Sequence, residues 1–341
     1  MAENSIWTPL HAQLHQTLRS RQLLPRHERL LVAVSGGQDS LCLTKLLIDL
    51  QPKWGWQLGI AHCDHRWRPD SEANAKHVEQ LAHNWELPFY CDVAKQPLPS
   101  EAAARQWRYQ ALSVIAQAND YQYIVTGHTA SDRAETLIYN LIRGSGADGL
   151  QALTWRRLLD SRLVLVRPLL EVTRTQTAQF CRDWQMLVWE DVTNQDLKYA
   201  RNRIRQELLP YLQTHFNPQV ESALAQTAEL LQAEVEYLEL AAHTLKQQAM
   251  PPVASSSSNQ LGLNRRILQK APLALQRRVM RQILQQALAI GAPSFDQVEK
   301  LTSLIAAPNR SRTDPFPGGA IAEVDGDWIW IKKSLEFISK T

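Results

Sequence analysis

The sequence predicts an α/β fold: a doubly wound, mostly parallel sheet, followed by a long linker helix and a small α-rich C-terminal domain. Short apolar segments alternate with helical patterns over the first part of the chain, as in the strand–helix–strand units of parallel sheets. The first segment, from Leu30 to Val34, ends in Ser-Gly-Gly, and a helix follows. From Pro218 to about Gln248 the apolar positions follow the spacing of one long helix.

The remaining elements follow the same alternation. Strands are predicted over 56–62, 89–93, 123–126 and 164–170, and helices over 8–23, 71–86, 101–119 and 173–185. Beyond the long helix, helical patterns cover 271–290 and 294–306, and a short strand covers 328–331. Two prolines and four serines within 251–258 indicate a flexible connector. The predicted domains are an N-terminal α/β domain at 1–216, the linker helix at 217–250 and the C-terminal domain at 251–341.

Length and composition indicate a globular protein of two or three domains. The chain has 341 residues, 44% of them hydrophobic, and its formal net charge of +3 does not by itself indicate a nucleic-acid partner. The cysteines, at positions 42, 63, 91 and 181, form no C-x-x-C pair. This favours a reduced, cytoplasmic protein and disfavours a zinc site, an iron–sulfur cluster or a disulfide framework. The N-terminus has no long apolar run, so neither a signal peptide nor a membrane partner is expected.

The loop Ser35-Gly36-Gly37-Gln38-Asp39-Ser40 is the first candidate site. Its glycines allow the backbone to approach a ligand, and the N–H groups of the following helix favour an anion such as phosphate. The hydroxyls of Ser35 and Ser40 can donate to phosphate oxygens, and Asp39 can hold Mg²⁺. A capped Gly-Gly turn without a ligand is the structural alternative. The loop lacks the lysine of the G-x-x-x-x-G-K-[ST] motif, which excludes the P-loop of ATPases.

Two further polar groups follow predicted strands. His62, Asp64 and His65 follow the second strand; a metal site there is less expected than structural hydrogen bonds. After the fourth strand come His128 and, three apart on the next helix, Asp132 and Glu135. This pair can bind a cationic group or Mg²⁺, or it can simply balance the helix dipole.

A third candidate lies at 189–205, where an acidic turn precedes Arg201, Arg203 and Arg205. Arginines at alternate positions suit a surface that meets ATP phosphates or an RNA backbone. Salt bridges between the acidic turn and these arginines are the structural alternative.

Four segments together resemble a known family. They are SGGQDS at 35–40, TGH-x-x-x-D-x-x-E-T at 126–136, RGSGADGL at 143–150 and WEDVTNQDLKYARNRIR at 189–205. The first is similar to the pyrophosphate loop of the N-type ATP pyrophosphatases, the Rossmann-like PP-loop fold. Together they resemble the tRNA(Ile)-lysidine synthetase family, over about residues 26–215.

The resemblance implies a ligase that forms a C–N bond. ATP would adenylate O2 of the wobble cytidine of tRNA(Ile) with a CAU anticodon, and L-lysine would then displace AMP. The loop from Ser35 to Ser40 would hold ATP and, at Asp39, Mg²⁺. The acidic pair, Asp132 and Glu135, would bind the amino groups of lysine. The three arginines would offset phosphate charge or contact the anticodon stem, and His128, with Asp39, Asp132 and Glu135, would be catalytic. The C-terminal domain, with Arg277, Arg278 and Arg281, would be a tRNA-binding domain unless these arginines only form a charged surface.

The sequence also departs from the family pattern, since Thr129 replaces a histidine and Ser131 an aspartate. A second metal or general-base role at these positions is therefore left open. A PP-loop tRNA thiolase is the alternative enzyme, and it is disfavoured because the chain lacks cysteine pairs. A non-catalytic nucleotide- or RNA-binding module is disfavoured because the loop and the acidic pair are complete. The oligomeric state is left open, a homodimer included.

Overall fold

The chain forms two compact units, residues 1–232 and 233–341. The computed structural model describes residues 7–67, 69–189, 196–251, 260–287 and 293–332. The division falls inside the helix that the sequence predicts as the linker, which spans Val220–Ala249. The functional boundaries at 216 and 250 stay a prediction.

A six-stranded sheet forms the centre of the first unit. Its strands are β1 Arg29–Ala33, β2 Gln57–Asp64, β3 Phe89–Val93, β4 Tyr123–Thr126, β5 Arg156–Leu158 and β6 Val164–Val166. Their order is β3-β2-β1-β4-β6-β5, and all neighbours run parallel except β5 and β6. The predicted doubly wound, mostly parallel sheet is confirmed. The sequence did not predict β5, because this edge strand is three exposed residues long and carries no apolar alternation.

The helices of the first unit surround this sheet. They are α1 Pro9–Ser20, α2 Gln38–Trp54, α3 Ser71–Asn84, α4 Glu101–Ala118, α5 Ala130–Ile142, α6 Ala147–Leu150, α7 Arg174–Asp183, α8 Ala200–Arg203, a π-helix Ile204–Leu208 and α9 Leu209–His215. The long helix α10 Val220–Ala249 begins in the first unit and continues into the second. Thr129 and Thr173 begin α5 and α7 with capping boxes, in which each threonine accepts from the residue three positions on. These caps fix the first turns of the two helices that carry most of the candidate site.

The position of the candidate site follows from the strand order. Leu30, Leu31 and Val32 are fully buried, as expected for a central parallel strand covered on both faces. The chain passes from β1 to β2 on one side and returns to place β4 on the other side of β1. Ligands of open α/β sheets bind at such a reversal, outside the carboxyl ends of the strands. The loops after β1 and β4 therefore lie side by side at the expected binding crevice.

The second unit contains more sheet than the sequence indicated. Strands β7 Gln260–Asn264, β8 Ile321–Asp325 and β9 Trp328–Lys332 form an antiparallel sheet in the order β7-β9-β8. It packs with α11 Arg265–Gln269, α12 Leu273–Ala287 and α13 Phe295–Thr302, which is followed by a 3₁₀ turn at Ser303–Ile305. Only β9 was predicted, because residues 328–331 are four consecutive apolar residues, whereas β7 lies next to the serine-rich connector.

The described residues agree with a reduced protein. Cys42 and Cys181 are buried, Cys91 is exposed, and all four cysteines are free thiols. Burial raises the pKa of the Cys63 thiol to about 12, which keeps it protonated. No helix within the described ranges has both the length and the apolar character needed to cross a membrane. A cytoplasmic location stays a prediction.

Candidate active site

The loop after β1 is held open toward the crevice. Gly36 has a φ of +87°, and a Cβ on it would lie 2.3 Å from Oδ1 of Asn74, so only glycine fits. The amide of Asn74 donates to the carbonyl of Ser35 at 2.9 Å, and Ser40 donates to the carbonyl of Gly37 at 2.8 Å. No side chain caps the N-terminus of α2. Its first N–H groups are consequently suited to an anion.

The loop after β4 packs directly on the first turn of α2. A Cβ on Gly127 would lie 2.7 Å from the carbonyl oxygen of Asp39. This close backbone approach brings His128 next to the loop Ser35–Ser40. The two segments enclose a cavity of about 250 Å³, whose walls include Ser35, Asp39, Ser40, Arg108, His128 and Asp132. The structure thus brings together the phosphate loop and the polar residues that follow β4.

Asp39 lines the cavity, and its carboxylate also accepts hydrogen bonds from two residues of α7. Its carboxylate accepts from Arg174 Nε at 3.2 Å and from the hydroxyl of Thr177. Gln38, the neighbouring loop residue, donates to the carbonyl of Arg174 at 2.9 Å. Burial, together with the nearby Asp132, raises the pKa of Asp39, although Arg174 and Thr177 counteract part of this shift.

Arg174, at the start of α7, connects three carboxylates. Besides Asp39, it donates from Nη2 to Asp132 at 2.8 Å and from Nη1 to Glu135 at 2.9 Å. Desolvation opposes ionisation of Asp132, but Arg174, His128 and the Thr129 hydrogen bonds outweigh it, so the pKa of Asp132 lies below its ordinary value. Desolvation likewise lowers the pKa of Arg174, but Asp132, Glu135 and Asp39 together raise it above its ordinary value. Asp132 and Arg174 are therefore both charged near neutral pH.

Arg205 is the second cation of this cluster. It donates from Nε to Glu135 at 2.7 Å and from Nη2 to the other oxygen of that carboxylate at 3.0 Å. The π-helix Ile204–Leu208 that carries Arg205 follows α8 without a break, and π-helical turns of this kind are frequent at functional sites. Three carboxylates then face two guanidiniums. The cluster of Asp39, Asp132, Glu135, Arg174 and Arg205 has one formal negative charge when every group is ionised.

The other two predicted arginines do not contact the acidic pair. Arg201 donates to the hydroxyl of Thr136 at 2.9 Å, one residue beyond Glu135. Arg203 donates to the carbonyls of Leu197 and Lys198 at 2.7 and 3.1 Å. Arg203 thus supports the preceding turn, and only Arg205 reaches the cluster. The acidic turn at 190–195 lies outside the described residues.

His128 faces the same cavity as a neutral imidazole. Its Nδ1 lies 2.9 Å from the hydroxyl of Thr126. Desolvation, with Arg167, Arg108 and Arg105 nearby, lowers the pKa of His128 to about 3, although Asp132 counteracts this shift. The imidazole can accept or donate a hydrogen bond but carries no charge at neutral pH.

The positions that depart from the family pattern have structural partners. Thr129 donates to Asp132 through its N–H and its hydroxyl, both at 2.8 Å. Ser131 donates to Glu221 on α10 and accepts from the N–H of Arg174 at 3.0 Å. Both residues fix the orientation of the first turn of α5, which carries Asp132.

The residues after the second strand are part of the cavity wall. Strand β2 extends further than predicted, through Asp64, so His62 lies within the strand and makes a hydrogen bond with the carbonyl of Val34 at 2.8 Å. Asp64 accepts from the N–H of Arg66 at 2.8 Å. Within the described part of the chain, no three His, Cys, Asp or Glu side chains are grouped as metal ligands. In the structure, His62 and Asp64 thus take part in hydrogen bonds with neighbouring backbone groups.

Sequence reasoning missed Arg174. The residue opens a predicted helix after the last parallel strand, which is the position that could have indicated a ligand-facing cation. Its three carboxylate partners are 135, 42 and 39 residues away along the chain. Such long-range pairing leaves no local pattern.

Two of the predicted arginines of the second unit donate hydrogen bonds to glutamates of the same unit. Arg277 donates to both oxygens of Glu299 at 2.6 and 2.8 Å, and Arg278 donates to Glu239. Burial lowers the pKa of Arg281. Contacts of these residues with tRNA stay a prediction.

Family profiles and curated relatives match most of the chain. A family profile described as a PP-loop domain matches residues 8–212, and one described as a TilS substrate binding domain matches residues 263–327. The chain is 69% identical over 335 residues to the tRNA(Ile)-lysidine synthase of Nostoc sp., with 96% of this chain and 98% of that one covered. It is 51% identical to the synthase of the same name from Synechocystis sp., with 95% and 97% covered.

A solved structure is similar in fold over part of this chain. The U34-tRNA thiolase NcsA from Methanococcus maripaludis, solved with its 4Fe-4S cluster, matches with a TM-score of 0.55 and 13% identity, covering 65% of this chain and 78% of that chain. At this identity the likeness concerns the fold alone. From the profile matches and the near full-length identities, the chain belongs to the tRNA(Ile)-lysidine synthase family.

Proposed function

We propose that this enzyme uses ATP to activate the wobble cytidine of a tRNA(Ile) with a CAU anticodon and then joins L-lysine to C2 of that base. In the first step O2 of cytidine attacks the α-phosphorus of ATP, and pyrophosphate leaves. In the second step an amino group of lysine attacks C2, loses a proton, and AMP leaves with the former O2. The products are lysidine, AMP and pyrophosphate. The single observation that carries the proposal is the charged cluster that links Asp39 of the phosphate loop to Asp132 and Glu135.

The phosphate half of the site is the loop Ser35–Ser40. The uncapped N-terminus of α2 and the open conformation of Gly36 suit the β- and γ-phosphates of ATP. The hydroxyls of Ser35 and Ser40 lie 3.3 Å apart at the same loop and can donate to phosphate oxygens. Little covalent chemistry is required of the protein in such a step, so positioning and charge stabilisation account for most of the catalysis.

The residues also fit Mg²⁺. The donors at the loop are hard oxygens, namely the carboxylate of Asp39 and the two serine hydroxyls, which Mg²⁺ prefers to nitrogen or sulfur ligands. Asp39 would hold the ion, which would neutralise charge on the phosphates when bound. Burial and Asp132 raise the pKa of Asp39, so a bound cation would stabilise the ionised form of this carboxylate.

The lysine half of the site is the acidic pair. Glu135 is only 1% exposed and Asp132 is mostly buried, so their charges are weakly screened. Because the cluster has one net negative charge, an arriving ammonium group brings it to neutrality. Arg174 and Arg205 orient the carboxylates, and the hydroxyl and N–H of Thr129 hold the second oxygen of Asp132. This arrangement suits lysine better than a neutral amino acid.

His128 lies between the two halves. As a neutral imidazole beside Asp132, it can accept a hydrogen bond from the attacking amine or donate one to the activated base. Arg201 and Arg205 can offset charge on the leaving AMP phosphate, whereas Arg203 supports their helix through the carbonyls that it contacts.

The test is incorporation of labelled lysine into a tRNA(Ile) transcript with a CAU anticodon, in the presence of ATP and Mg²⁺. Stoichiometric incorporation with release of AMP and pyrophosphate is expected. A transcript with a UAU anticodon lacks the target cytidine and is the matched control. A folded enzyme that binds the CAU transcript but incorporates no lysine would overturn the proposal. Transfer of sulfur to the transcript in a parallel reaction with added sulfide would identify a thiolase.

A further inference from the structure

A second group of arginines in the first unit differs from the cluster around Arg174, because no carboxylate neutralises it. The guanidiniums of Arg105, Arg108 and Arg157 lie 5.7, 5.8 and 5.7 Å from the ring centroid of Tyr109. Within the described residues, none of these three is in salt-bridge distance of an Asp or Glu. We call this group the Tyr109 cluster.

The buried Arg167 adds a fourth positive charge. It is 2% exposed and donates to the carbonyl of Thr154 at 2.7 Å, while its Nε has no hydrogen-bond partner among the described residues. Burial and the neighbouring Arg105 and Arg157 lower the pKa of Arg167, and the arginines overcome the effect of burial to lower the pKa of Tyr109. The direction of the Tyr109 shift agrees with the positive charge that the arginines place around the ring. Such positive charge favours an anion.

The Tyr109 cluster borders two spaces at once. Tyr109 and Arg108 line the 250 Å³ cavity of the candidate active site. Tyr109 also lines an open groove of about 600 Å³ between α4 and β5. Arg105 and Arg157 line the groove, with Gln106, Gln110 and Ser113 as further hydrogen-bonding side chains. Asp160 is its one acidic residue within the described chain, and that carboxylate already accepts from Gln117 and from two backbone N–H groups.

We propose that this groove binds the phosphodiester backbone of the nucleotides that flank the target base. The inference rests on the proposed function, because it assumes that the base entering the cavity belongs to an RNA. Because Tyr109 lines both spaces, an RNA strand with its target base in the cavity can continue into the groove. Grooves that track a single-stranded backbone combine cationic side chains with aromatic rings, as here.

The alternative ligand is a second nucleotide or free pyrophosphate. The observations favour RNA because the proposed site for the phosphates of ATP is the loop Ser35–Ser40, whose residues do not line the groove. The groove is also open along its length and bordered by the exposed apolar side chain of Val114, which is 65% exposed. A linear polyanion with bases can use both features.

The experiment measures binding of an anticodon stem-loop RNA to the full-length enzyme at several salt concentrations. Arg157→Ala is expected to weaken binding about tenfold, as loss of one charge-assisted contact does, and to reduce the slope of log Kd against log salt by about 1. Arg156→Ala is the matched control, since Arg156 is the preceding residue of β5, lies outside the groove and donates to the carbonyl of Gln22. The KM values for ATP and lysine should not change in either variant.

A second pair of variants separates charge from size. Val114→Glu should weaken RNA binding, because it introduces a negative charge at the groove, whereas Val114→Gln should leave it close to wild type. Unchanged RNA affinity in Arg157→Ala and Val114→Glu would overturn the inference, as would an increased KM for ATP with normal RNA binding. Wild-type lysine incorporation is measured beside these variants, so failure of the proposed function is recognised separately.

Discussion

Nη2 of Arg174 lies 2.8 Å from Oδ1 of Asp132, and this ion pair joins the first turns of α7 and α5. The same guanidinium reaches Asp39 in the phosphate loop, so one side chain contacts both halves of the site. The phosphate loop and the acidic pair are therefore electrostatically coupled through Arg174.

Arg174→Ala should impair both steps. It leaves three carboxylates with one guanidinium, and removing a partly buried partner of this kind is expected to reduce the free energy of unfolding by about 2–4 kcal/mol. Arg174→Lys keeps the charge but cannot serve three acceptors with a planar fork, so its loss should be intermediate. Urea unfolding and single-turnover kinetics of both variants check this. Equal loss in the two variants would contradict a role for the charge.

Substitutions in the phosphate loop and in the acidic pair should affect different steps of the reaction. Asp39→Asn should slow pyrophosphate release, because it removes the carboxylate that the ATP half uses. Asp132→Asn and Glu135→Gln should instead raise the KM for lysine about tenfold or more, since each removes a charged acceptor. Glu101→Gln, in the exposed first turn of α4, is the control for an acid at a helix N-terminus. If the acidic-pair variants kept normal lysine kinetics, the assignment of lysine to that pair would be wrong.

His128 should make the enzyme less stable as the solution becomes acidic. Its pKa falls to about 3 in the folded state, so between pH 6.5 and 3 the unfolded chain binds a proton that the folded chain does not. The free energy of unfolding therefore decreases as pH falls below 6.5, by at most about 1.4 kcal/mol per pH unit from this group. Urea unfolding from pH 7 to 5 should show a shallower decrease in His128→Gln. The exposed His83→Gln should leave the wild-type slope unchanged, and an equal change in both variants would contradict the role of His128.

Gly127→Ala should disturb the site without changing a polar group. The new methyl would lie 2.7 Å from the carbonyl oxygen of Asp39 and would push the two loops apart, at a cost of about 1–3 kcal/mol. The KM for ATP should rise. Gly146→Ala is the control, because a Cβ there meets no atom within 4 Å. A normal KM for ATP in Gly127→Ala would show that the close approach does not support the phosphate loop.

The sequence predicted the elements that have strong local patterns. The apolar segment Leu30–Val34, the glycine turn and the shared face of Asp132 and Glu135 all lie where they were expected. Periodicity and turn chemistry determine these features locally. Edge strand β5 has neither apolar periodicity nor a recognisable turn, so the sequence did not predict it.

Charge pairing could not be predicted in the same way. The three arginines at 201, 203 and 205 form one sequence pattern, yet only Arg205 reaches Glu135, because the π-helix and the turn before α8 direct the side chains differently. The pairing of Arg174 depends on how α7 packs against α2 and α5, which is a tertiary property.

The most direct measurement separates the two chemical steps. The enzyme is first incubated with ATP, Mg²⁺ and the CAU transcript without lysine, and pyrophosphate release is recorded in a single turnover. Lysine is then added, and AMP release and the mass of the nucleoside at the wobble position are followed. Wild type should release pyrophosphate before lysine is added and AMP only afterwards, with lysidine formed, whereas Asp39→Asn should be slow in the first phase and Glu135→Gln in the second. Two results would contradict the two-step mechanism at this site. One is pyrophosphate release that occurs only when lysine is present, and the other is a wobble nucleoside whose mass does not increase after lysine is added.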